Sequence, residues 1–378
     1  MAKKEFKVLR GTYEVRGVIR GLDRQKESNK DNPSAVYTKK TKSDKTYREL
    51  SFNVESLKGE STRVRVKSYK LESVYGFNKE DKSIKQFPWA NRNKLGDKYR
   101  SFNTIGYHNL ESKKEDGSYN TEYSYSWDAI PELCKQFKDG DTVFIRGTWE
   151  HSDYGDKTYT AVDADRFYYG NAKIDFDSEE FDIDKYTPVR KFTQYVVFEN
   201  TDEDDKGKHF IDTRIITNKD GDNTKVRFEV LPKFAKHFAK VPAGTEMYLI
   251  GDYYTIPKSE DIDISSHADN DDYGFTDEEG YAEDATSELG ANGYDSKIIV
   301  KVVLTSDKDG NRYIKPNEYD IDELDEIKAD IIAEREEKSS SNKKSSVNTK
   351  RNNKKEDKED WSGIEGNESK VVDEDDWS

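Results

Sequence analysis

The sequence is poor in cysteine, with one in 378 residues. Cys134 alone can form no internal disulfide and supports no cysteine-based zinc site. No apolar run approaches the roughly 20 residues of a membrane-spanning helix, and the N-terminus lacks the apolar stretch of a signal peptide. We therefore expect a soluble, cytoplasmic protein.

Motifs of enzymes are also missing. The five histidines are scattered, and none has the spacing of a metal-binding helix. The sequence contains no phosphate-binding P-loop and no G-x-G-x-x-G fingerprint. We expect a protein that is not an enzyme, with no cofactor, no metal and no small-molecule substrate.

Apolar residues are scarce, but aromatic residues are not. Hydrophobic residues make up 32% of the chain, which stays below the usual ~45–50% even when the 23 glycines are added. Aromatic residues reach 12%, whereas disordered chains contain few of them. This composition predicts folded domains, some unpacked segments, and aromatic side chains available for a surface.

The net charge of -15 hides a strong asymmetry. Residues 1–110 contain 26 Lys/Arg and 13 Asp/Glu, whereas residues 171–338 contain 22 and 42. A basic first third on an acidic protein indicates a polyanion partner at that end. Solvated surface charge is the alternative interpretation.

Two segments, 131–149 and 232–254, repeat one pattern of proline, helical apolar spacing, glycine turn and strand. Gly140 and Gly147 in the first copy match Gly244 and Gly251 in the second. Each copy follows three strand-like runs and precedes one more. This order predicts a mainly β protein with two OB-like five-stranded barrels in tandem, each with a helix between strands three and four.

Composition then sets the domain boundaries. The prolines at 131 and 232 are expected in the first turn of their helices. A C-terminal amphipathic helix is expected to pack on the second barrel, and the Ser/Asn/Lys-rich end is expected to be a disordered tail. The predicted boundaries are 10–170 for the first barrel with a basic-aromatic insertion at 70–128, 171–187 for a linker, 188–318 for the second barrel with an acidic insertion at 258–296, 319–338 for the helix and 339–378 for the tail.

The third strand of the first barrel is the first candidate binding surface. Alternation places Val64 and Val66 inside and a row of cations outside, at a pitch of ~6.6 Å that suits the phosphates of an extended strand. The candidate nucleic-acid-binding residues of the barrel are Arg16, Arg20, Arg24, Tyr47, Arg63, Arg65, Lys67 and Tyr69.

The insertion contains the densest mixture of basic and aromatic residues. Nucleobases stack on aromatic rings while cations hold the backbone, without reading the sequence. The alternative is a small subdomain in which Phe87 and Trp89 form a core of their own. The candidates here are Lys85, Phe87, Trp89, Arg92, Lys94, Tyr99, Arg100 and Phe102.

The second copy is a weaker candidate. Its equivalent outward positions are predicted to be Lys225, Arg227 and Glu229, so an acid replaces one cation. Its insertion, residues 259–295, contains 13 acids and no Lys or Arg. We expect an accessory site, a protein-contact module or a spacer.

The chain ends in an acidic, aromatic tip, which can dock on a basic, apolar pocket of another protein. Its residues are Asp373, Glu374, Asp375, Asp376 and Trp377. An OB-like domain with basic-aromatic faces, a low-complexity linker and such a tip resemble the single-stranded DNA-binding proteins of bacteria and tailed phages. The resemblance implies single-stranded DNA as ligand and replication, recombination or repair proteins as partners of the tip.

The chain also departs from the bacterial pattern. It ends in Trp-Ser where the bacterial tip has a Pro-Phe pair, and its two barrels and long insertions look more like a phage version, which implies the host cytoplasm. The leading hypothesis is a sequence-nonspecific single-stranded DNA-binding protein. The alternatives are a structural or adaptor protein that binds other proteins, and an RNA-binding OB protein.

Overall fold

The computed structural model describes residues 5–41, 44–95, 98–154, 157–170, 172–257, 294–305 and 312–345. The chain forms two compact units, residues 1–329 and 330–378. Most of the acidic insertion (258–293) and the tail from residue 346, with its tip, lie outside the described residues.

The described part of the chain is mainly β. Its strands are β1 (Gly11–Arg20), β2 (Thr38–Lys40), β3 (Thr46–Leu57), β4 (Glu60–Tyr69), β5 (Ser73–Asn78), β6 (Ile84–Pro88), β7 (Tyr99–Ser101), β8 (Thr104–Lys113), β9 (Tyr119–Tyr125), β10 (Thr142–Tyr154), β11 (Lys157–Tyr169), β12 (Val189–Glu203), β13 (His209–Ile216), β14 (Asn223–Val230), β15 (Thr245–Pro257) and β16 (Tyr294–Leu304). Its helices are α1 (Leu22–Ser28), α2 (Ser126–Gln136), α3 (Pro232–Phe238) and α4 (Ile321–Ser345).

Two closed barrels share one strand order. The first closes as β1-β3-β4-β11-β10 and back to β1, and the second as β12-β13-β14-β16-β15 and back to β12. In each, the third and fifth strands pair in parallel and the other pairs are antiparallel. Helices α2 and α3 lie between the third and fourth strands. The predicted tandem OB-like barrels are confirmed.

The glycines of the sequence repeat occupy equivalent places. Gly140 and Gly244 have φ of 87° and 78°, which favours residues without a Cβ. Gly147 and Gly251 each come directly after a shift in register in the fourth strand of their barrel. A Cβ at Gly147 would lie 2.1 Å from the Asp163 carbonyl oxygen, and one at Gly251 would lie 2.0 Å from that of Ile299.

Helix α2 begins five residues before Pro131, so the prediction that this proline opens the helix was wrong. The helix starts at Ser126 because Trp127, Ala129 and Ile130 extend the buried apolar face upstream. A proline cannot donate to the carbonyl four residues before it, here that of Trp127. The Arg48 guanidinium supplies the missing donor at 2.5 Å. In the second barrel, Pro232 does occupy the first turn of α3, as predicted.

The two barrels form one continuous hydrophobic core. Strands β1 and β12 pair from Gly11↔Gln194 to Arg16↔Val189. Between the barrels, the Trp149 ring stacks on Phe192 with 4.4 Å between centroids, and Tyr13 packs edge-on against Tyr253 at 5.8 Å. The first barrel is therefore held in a fixed orientation to the second by both hydrogen bonds and apolar contact.

The insertion between β4 and α2 has two parts. Strands β5, β6 and β7 form a separate three-stranded sheet with β5 in the centre, which we call the insertion sheet. The β8–β9 hairpin joins the main sheet by parallel pairing of β8 with β11. The insertion sheet thus starts at Ser73, four residues after Tyr69 at the end of β4.

Helix α4 extends to Ser345, beyond the predicted end at residue 338. Its first turns pack on the second barrel, where Leu324 is fully buried and Asp325 accepts from Arg214 at 2.7 Å. Among the described residues, no helix combines the length and apolar character needed to span a bilayer.

Candidate nucleic-acid interface

The outer face of β3 and β4 presents polar and aromatic pairs across the two strands. Val64 and Val66 are buried inside the barrel, as the alternation predicts. On the outside, Tyr47 lies opposite Tyr69, Glu49 opposite Lys67, Ser51 opposite Arg65, and Asn53 opposite Arg63. OB-folds commonly use this face of strands two and three, with the loop after strand one, to bind oligonucleotides.

At one end of this face a lysine lies between two tyrosines. The Tyr47 and Tyr69 rings are 5.6 Å apart, and the Lys67 ammonium lies 5.0 Å and 5.3 Å from their centroids. Glu49 contacts Lys67 at 3.7 Å. Tyr47 is buried and Tyr69 is 38% exposed, so Tyr69 presents the ring that a ligand can reach.

Arg65 does not extend the row of cations, contrary to the prediction. It is 8% exposed, and it donates to Asp163 on β11 and to Glu150 on β10, the latter at 3.1 Å. Asp163 stands directly beside Arg65 in the parallel pairing of β4 and β11. Burial and the nearby Asp163 raise the pKa of Glu150 to about 7, while Arg65 opposes that rise. Arg65 is a structural cation.

Three other predicted arginines do come together. Arg20 at the end of β1, Arg24 on α1 and Arg63 on β4 line an open pocket of about 320 Å³. This volume is within the range of small-ligand sites, ~300–1,000 Å³. The sequence predicted none of the remaining lining residues, which are Gly21, Gln25, Ser51, Phe52, Asn53 and Asp139.

The acids near the pocket have structural partners. Arg20 pairs with Glu55 at 2.7 Å. The Asp139 carboxylate accepts hydrogen bonds from the backbone N–H groups of Gly21 and Leu22, which fixes α1 against the barrel. Asn53 lies between Arg20 and Arg63, since it pairs with both across the neighbouring strands. Because Arg20 is already paired with Glu55, an anion in the pocket would chiefly meet the guanidinium groups of Arg24 and Arg63 and the Asn53 amide. Arg63 itself donates to the Ser51 hydroxyl at 3.0 Å.

Arg16 lies elsewhere. It donates to the Thr187 carbonyl and stands 5.4 Å from the Tyr186 ring, in the segment between the barrels. Arg16 shares a face of β1 with Arg20, four residues further on. It is separated from the pocket because β1 pairs with β12 at Arg16 and with β3 at Arg20.

In the insertion, several predicted ligand-binding rings form a core instead. Phe87, Trp89 and Leu95 pack on the buried cluster of Val74, Tyr125 and Trp127. Trp89 is edge-on to Trp127 at 5.9 Å, and Phe87 is edge-on to Tyr99 at 5.0 Å. The alternative interpretation of a subdomain core therefore describes Phe87 and Trp89.

Arg92 stabilises this core. Its guanidinium makes two hydrogen bonds of 2.8 Å to the Asp128 carboxylate and lies 4.7 Å from the Trp89 centroid. The remaining predicted residues stay accessible, since Lys85, Lys94 and Arg100 are exposed and Phe102 is 36% exposed.

The second barrel has an arginine at the position of Arg63, but in a different setting. The two barrels can be aligned at the bulges next to Gly147 and Gly251, which makes Asp163 on β11 equivalent to Ile299 on β16. Asp163 pairs with Arg65 and Ile299 pairs with Glu229, so Arg65 and Glu229 are equivalent as well. Arg63 therefore corresponds to Arg227. The predicted match with Lys225 was wrong by two residues, because strand alternation repeats every two residues and leaves this shift undetermined. Arg227 binds Asp212 at 2.8 Å and also binds Asp202.

No group of His, Cys, Asp and Glu in the described parts of the chain has the arrangement of a metal site. The predicted partner-binding tip, Asp373 to Trp377, lies outside the described residues.

Comparison with known proteins gives structural similarity only. No family model matches the chain, and no curated protein matches it. A deletion mutant of the single-stranded DNA-binding protein from Thermus aquaticus is similar at a TM-score of 0.33 and 8% identity, over 80% of this chain and 95% of that one. The wild-type protein is similar at 0.33 and 7%, over 80% and 93%. Similarity at this level identifies no binding residue here.

Proposed function

We propose that this protein binds single-stranded DNA without sequence preference, on the outer face of β3 and β4. The observation that supports this most is the pocket formed by Arg20, Arg24 and Arg63, which opens on the same face as Tyr69. From Arg63 to Tyr69 the strand advances about 20 Å. An extended strand of nucleic acid can lie along that length, whereas a compact anion fills one end.

The chemistry of the two ends is complementary to such a strand. Guanidinium groups bind phosphate oxygens with two parallel hydrogen bonds. The exposed Tyr69 ring, backed by Tyr47 and Lys67, offers a face on which a base can stack for ~1–3 kcal/mol. Stacking accepts every base, so this face distinguishes unpaired from paired strands rather than one sequence from another.

The first barrel is the better site for a polyanion. Arg63 lies opposite the neutral Asn53, whereas Arg227 at the same position of the second barrel binds two aspartates. A phosphate at Arg227 would have to displace those carboxylates. The acidic sequence of 259–295 also disfavours a polyanion in the second barrel.

We further propose that the protein acts in DNA replication, recombination or repair in the cytoplasm, and that Asp373 to Trp377 recruits partner proteins. The support for this role is the sequence of the tip and its resemblance to the bacterial and phage proteins. Deletion of residues 359–378 is expected to leave DNA binding intact or tighter and to abolish partner pull-down. Loss of DNA affinity on that deletion would contradict the recruiting role.

Fluorescence anisotropy tests the binding site. The protein is titrated with labelled oligo-dT, the matching RNA and a duplex at several salt concentrations. Arg63→Gln should weaken oligo-dT binding and reduce the slope of log K against log salt by about 0.7, the value for one phosphate contact to a single strand. Arg227→Gln is the matched control and should change neither. Preference for duplex, binding that does not depend on salt, or equal effects of the two variants would refute the proposal. Preference for RNA would favour the RNA-binding alternative.

A further inference from the structure

The insertion sheet has one face buried and one exposed. Its inward residues pack on the cluster around Trp127. On the outward face, Tyr75 is 44% exposed, Ile84 is 41% exposed and Phe102 is 36% exposed. Phe77 lies between them, directly opposite Ile84 on β6 and Arg100 on β7. A small sheet that keeps large apolar groups on its solvent side is typical of a binding surface.

The exposed rings are arranged around Phe77. The Phe102 ring stands edge-on to Phe77 with 6.5 Å between centroids, and the Lys82 ammonium lies 5.9 Å from the Phe77 centroid. Tyr75 is two residues before Phe77 and so shares its face. Three rings and two cations, Lys82 and Arg100, thus occupy one side of three short strands.

Arginine side chains lie around the carboxylate of Asp165, beside this face. Desolvation raises the pKa of Asp165 on β11, and the charges of Arg166, Arg146 and Arg100 oppose that rise. Arg100 thus acts on the same carboxylate as Arg166 on β11 and Arg146 on β10. Arg166 in turn stands 5.4 Å from the ring of Tyr123, which is 56% exposed. A surface that combines flat apolar rings with several guanidinium groups is complementary to nucleobases on a phosphate backbone.

The exposed face also continues the proposed interface. Only three residues separate Tyr69, at the end of β4, from Ser73, at the start of β5. The four residue steps from Tyr69 to Ser73 span at most about 14 Å. Leu71 in this connection is 42% exposed, so apolar side chains are accessible at 69, 71 and 75. A strand of nucleic acid that leaves the barrel face at Tyr69 therefore meets the insertion sheet next.

We propose that the outward face of the insertion sheet, formed by Tyr75, Phe77 and Phe102 with Lys82 and Arg100, is a second stacking platform for bases of the same single strand. This inference rests on the proposed function of the barrel face. Phe87, Trp89 and Tyr99 pack inside the insertion, so in this proposal the bases stack on the rings on the opposite side of the sheet. The binding site then has two parts, and a strand must be long enough to reach both.

Oligonucleotide length separates the two parts. In the full-length protein, Tyr75→Leu/Phe102→Leu removes two flat rings and keeps the side chains apolar. Binding of an oligo-dT of about 20 nucleotides should weaken by about tenfold or more, since a lost base stack costs ~1–3 kcal/mol and 1.4 kcal/mol is tenfold. Binding of an oligo-dT of about 6 nucleotides, which the barrel face alone can hold, should be unchanged.

Matched variants control for folding and for apolar docking. Tyr75→Phe/Phe102→Tyr keeps both rings and should bind the long oligonucleotide normally. If the leucine variant retains full affinity for the long oligonucleotide while Arg63→Gln weakens it, the insertion face is not a DNA platform and the barrel proposal stands. If neither variant changes binding, both proposals fail. If the leucine variant melts at a lower temperature than the ring-retaining variant, Arg100→Gln provides the test instead. It should weaken binding of the long oligonucleotide alone, by about threefold to tenfold. An unchanged affinity would again overturn the inference.

Discussion

Arg63 and Arg227 hold the same position on the third strand of the two barrels, but Arg63 faces Asn53 whereas Arg227 faces Asp212. The duplicated fold therefore places one arginine beside an amide and the other in an ion pair with carboxylates. Because a bound carboxylate competes with phosphate for the same guanidinium, this single difference is expected to separate the two barrels in their affinity for a polyanion.

The first prediction is that Asn53→Asp makes the first barrel resemble the second. Asn53 lies between Arg20 and Arg63, so the new carboxylate would meet both guanidinium groups. A carboxylate beside a guanidinium interacts with it by about 1 kcal/mol in water. Competition of this size with phosphate corresponds to about fivefold weaker binding of oligo-dT. The melting temperature should stay the same or rise, because the new ion pairs are favourable.

Asn53→Ser serves as the control for this prediction, since it removes the amide without adding charge. It should bind more tightly than the aspartate variant at low salt, and the difference should shrink at high salt because salt screens the added charge. Equal affinities of the two variants at low salt would show that phosphate does not approach Arg20 and Arg63.

The second prediction concerns Arg65, which the structure makes a stabilising residue rather than a DNA ligand. Arg65→Met leaves Glu150 and Asp163 facing each other without their shared cation. We expect a loss of about 2–3 kcal/mol in the free energy of unfolding at pH 8, less than for a fully buried pair because Glu150 is partly exposed. The affinity of the folded variant for oligo-dT should be nearly unchanged.

The pH dependence of that variant has a defined sign. The pKa of Glu150 is raised in the folded protein to about 7, so the folded state takes up a proton more readily than the unfolded state. Removal of Arg65 takes away the charge that opposes this rise, so the pKa of Glu150 goes up further in the variant. The repulsion is then greatest at alkaline pH and is relieved as the pH falls toward 5. Urea denaturation of Arg65→Met at pH 8 and pH 5.5 should show partial recovery at the lower pH. A deficit that grows on acidification would contradict this account.

The fold could be predicted from sequence because its signals are local and repeated. Strand alternation, the glycines of the repeat and the apolar face of each helix all fall within short windows, and the two copies support each other. The position of Gly147 and Gly251 follows from steric contact with a neighbouring carbonyl oxygen, so the sequence preserves a glycine at both places.

The binding surface was harder to predict because it depends on pairings between distant residues. Arg65 is neutralised by Asp163, 98 residues away, and nothing near Arg65 in the chain indicates this. In the insertion, rings occur on both sides of short strands. The register places Phe87 inside and Phe77 outside, although both lie in the same polar, aromatic stretch. Local composition identified the region but could not assign its faces.

The last prediction concerns His151, which lies in the core between the barrels. Its ring is 4.5 Å from that of Trp149, and its Nδ1 is 3.0 Å from the Thr160 hydroxyl. Its Nε2 is buried without a hydrogen-bond partner among the described residues. Burial lowers the pKa of His151 from 6.5 to about 3, so the folded protein keeps the ring neutral where the unfolded chain would be protonated.

The contribution of neutral His151 to the free energy of unfolding is therefore fully present above pH 6.5 and is lost as the pH falls toward 3. At pH 5 the loss amounts to about 2 kcal/mol. His151→Phe removes the titration, so the free energy of unfolding of the wild type relative to this variant should fall by about that amount between pH 7.5 and pH 5. If the wild type and His151→Phe lose stability in parallel on acidification, the folded protein accommodates a charged His151, and burial does not exclude its proton.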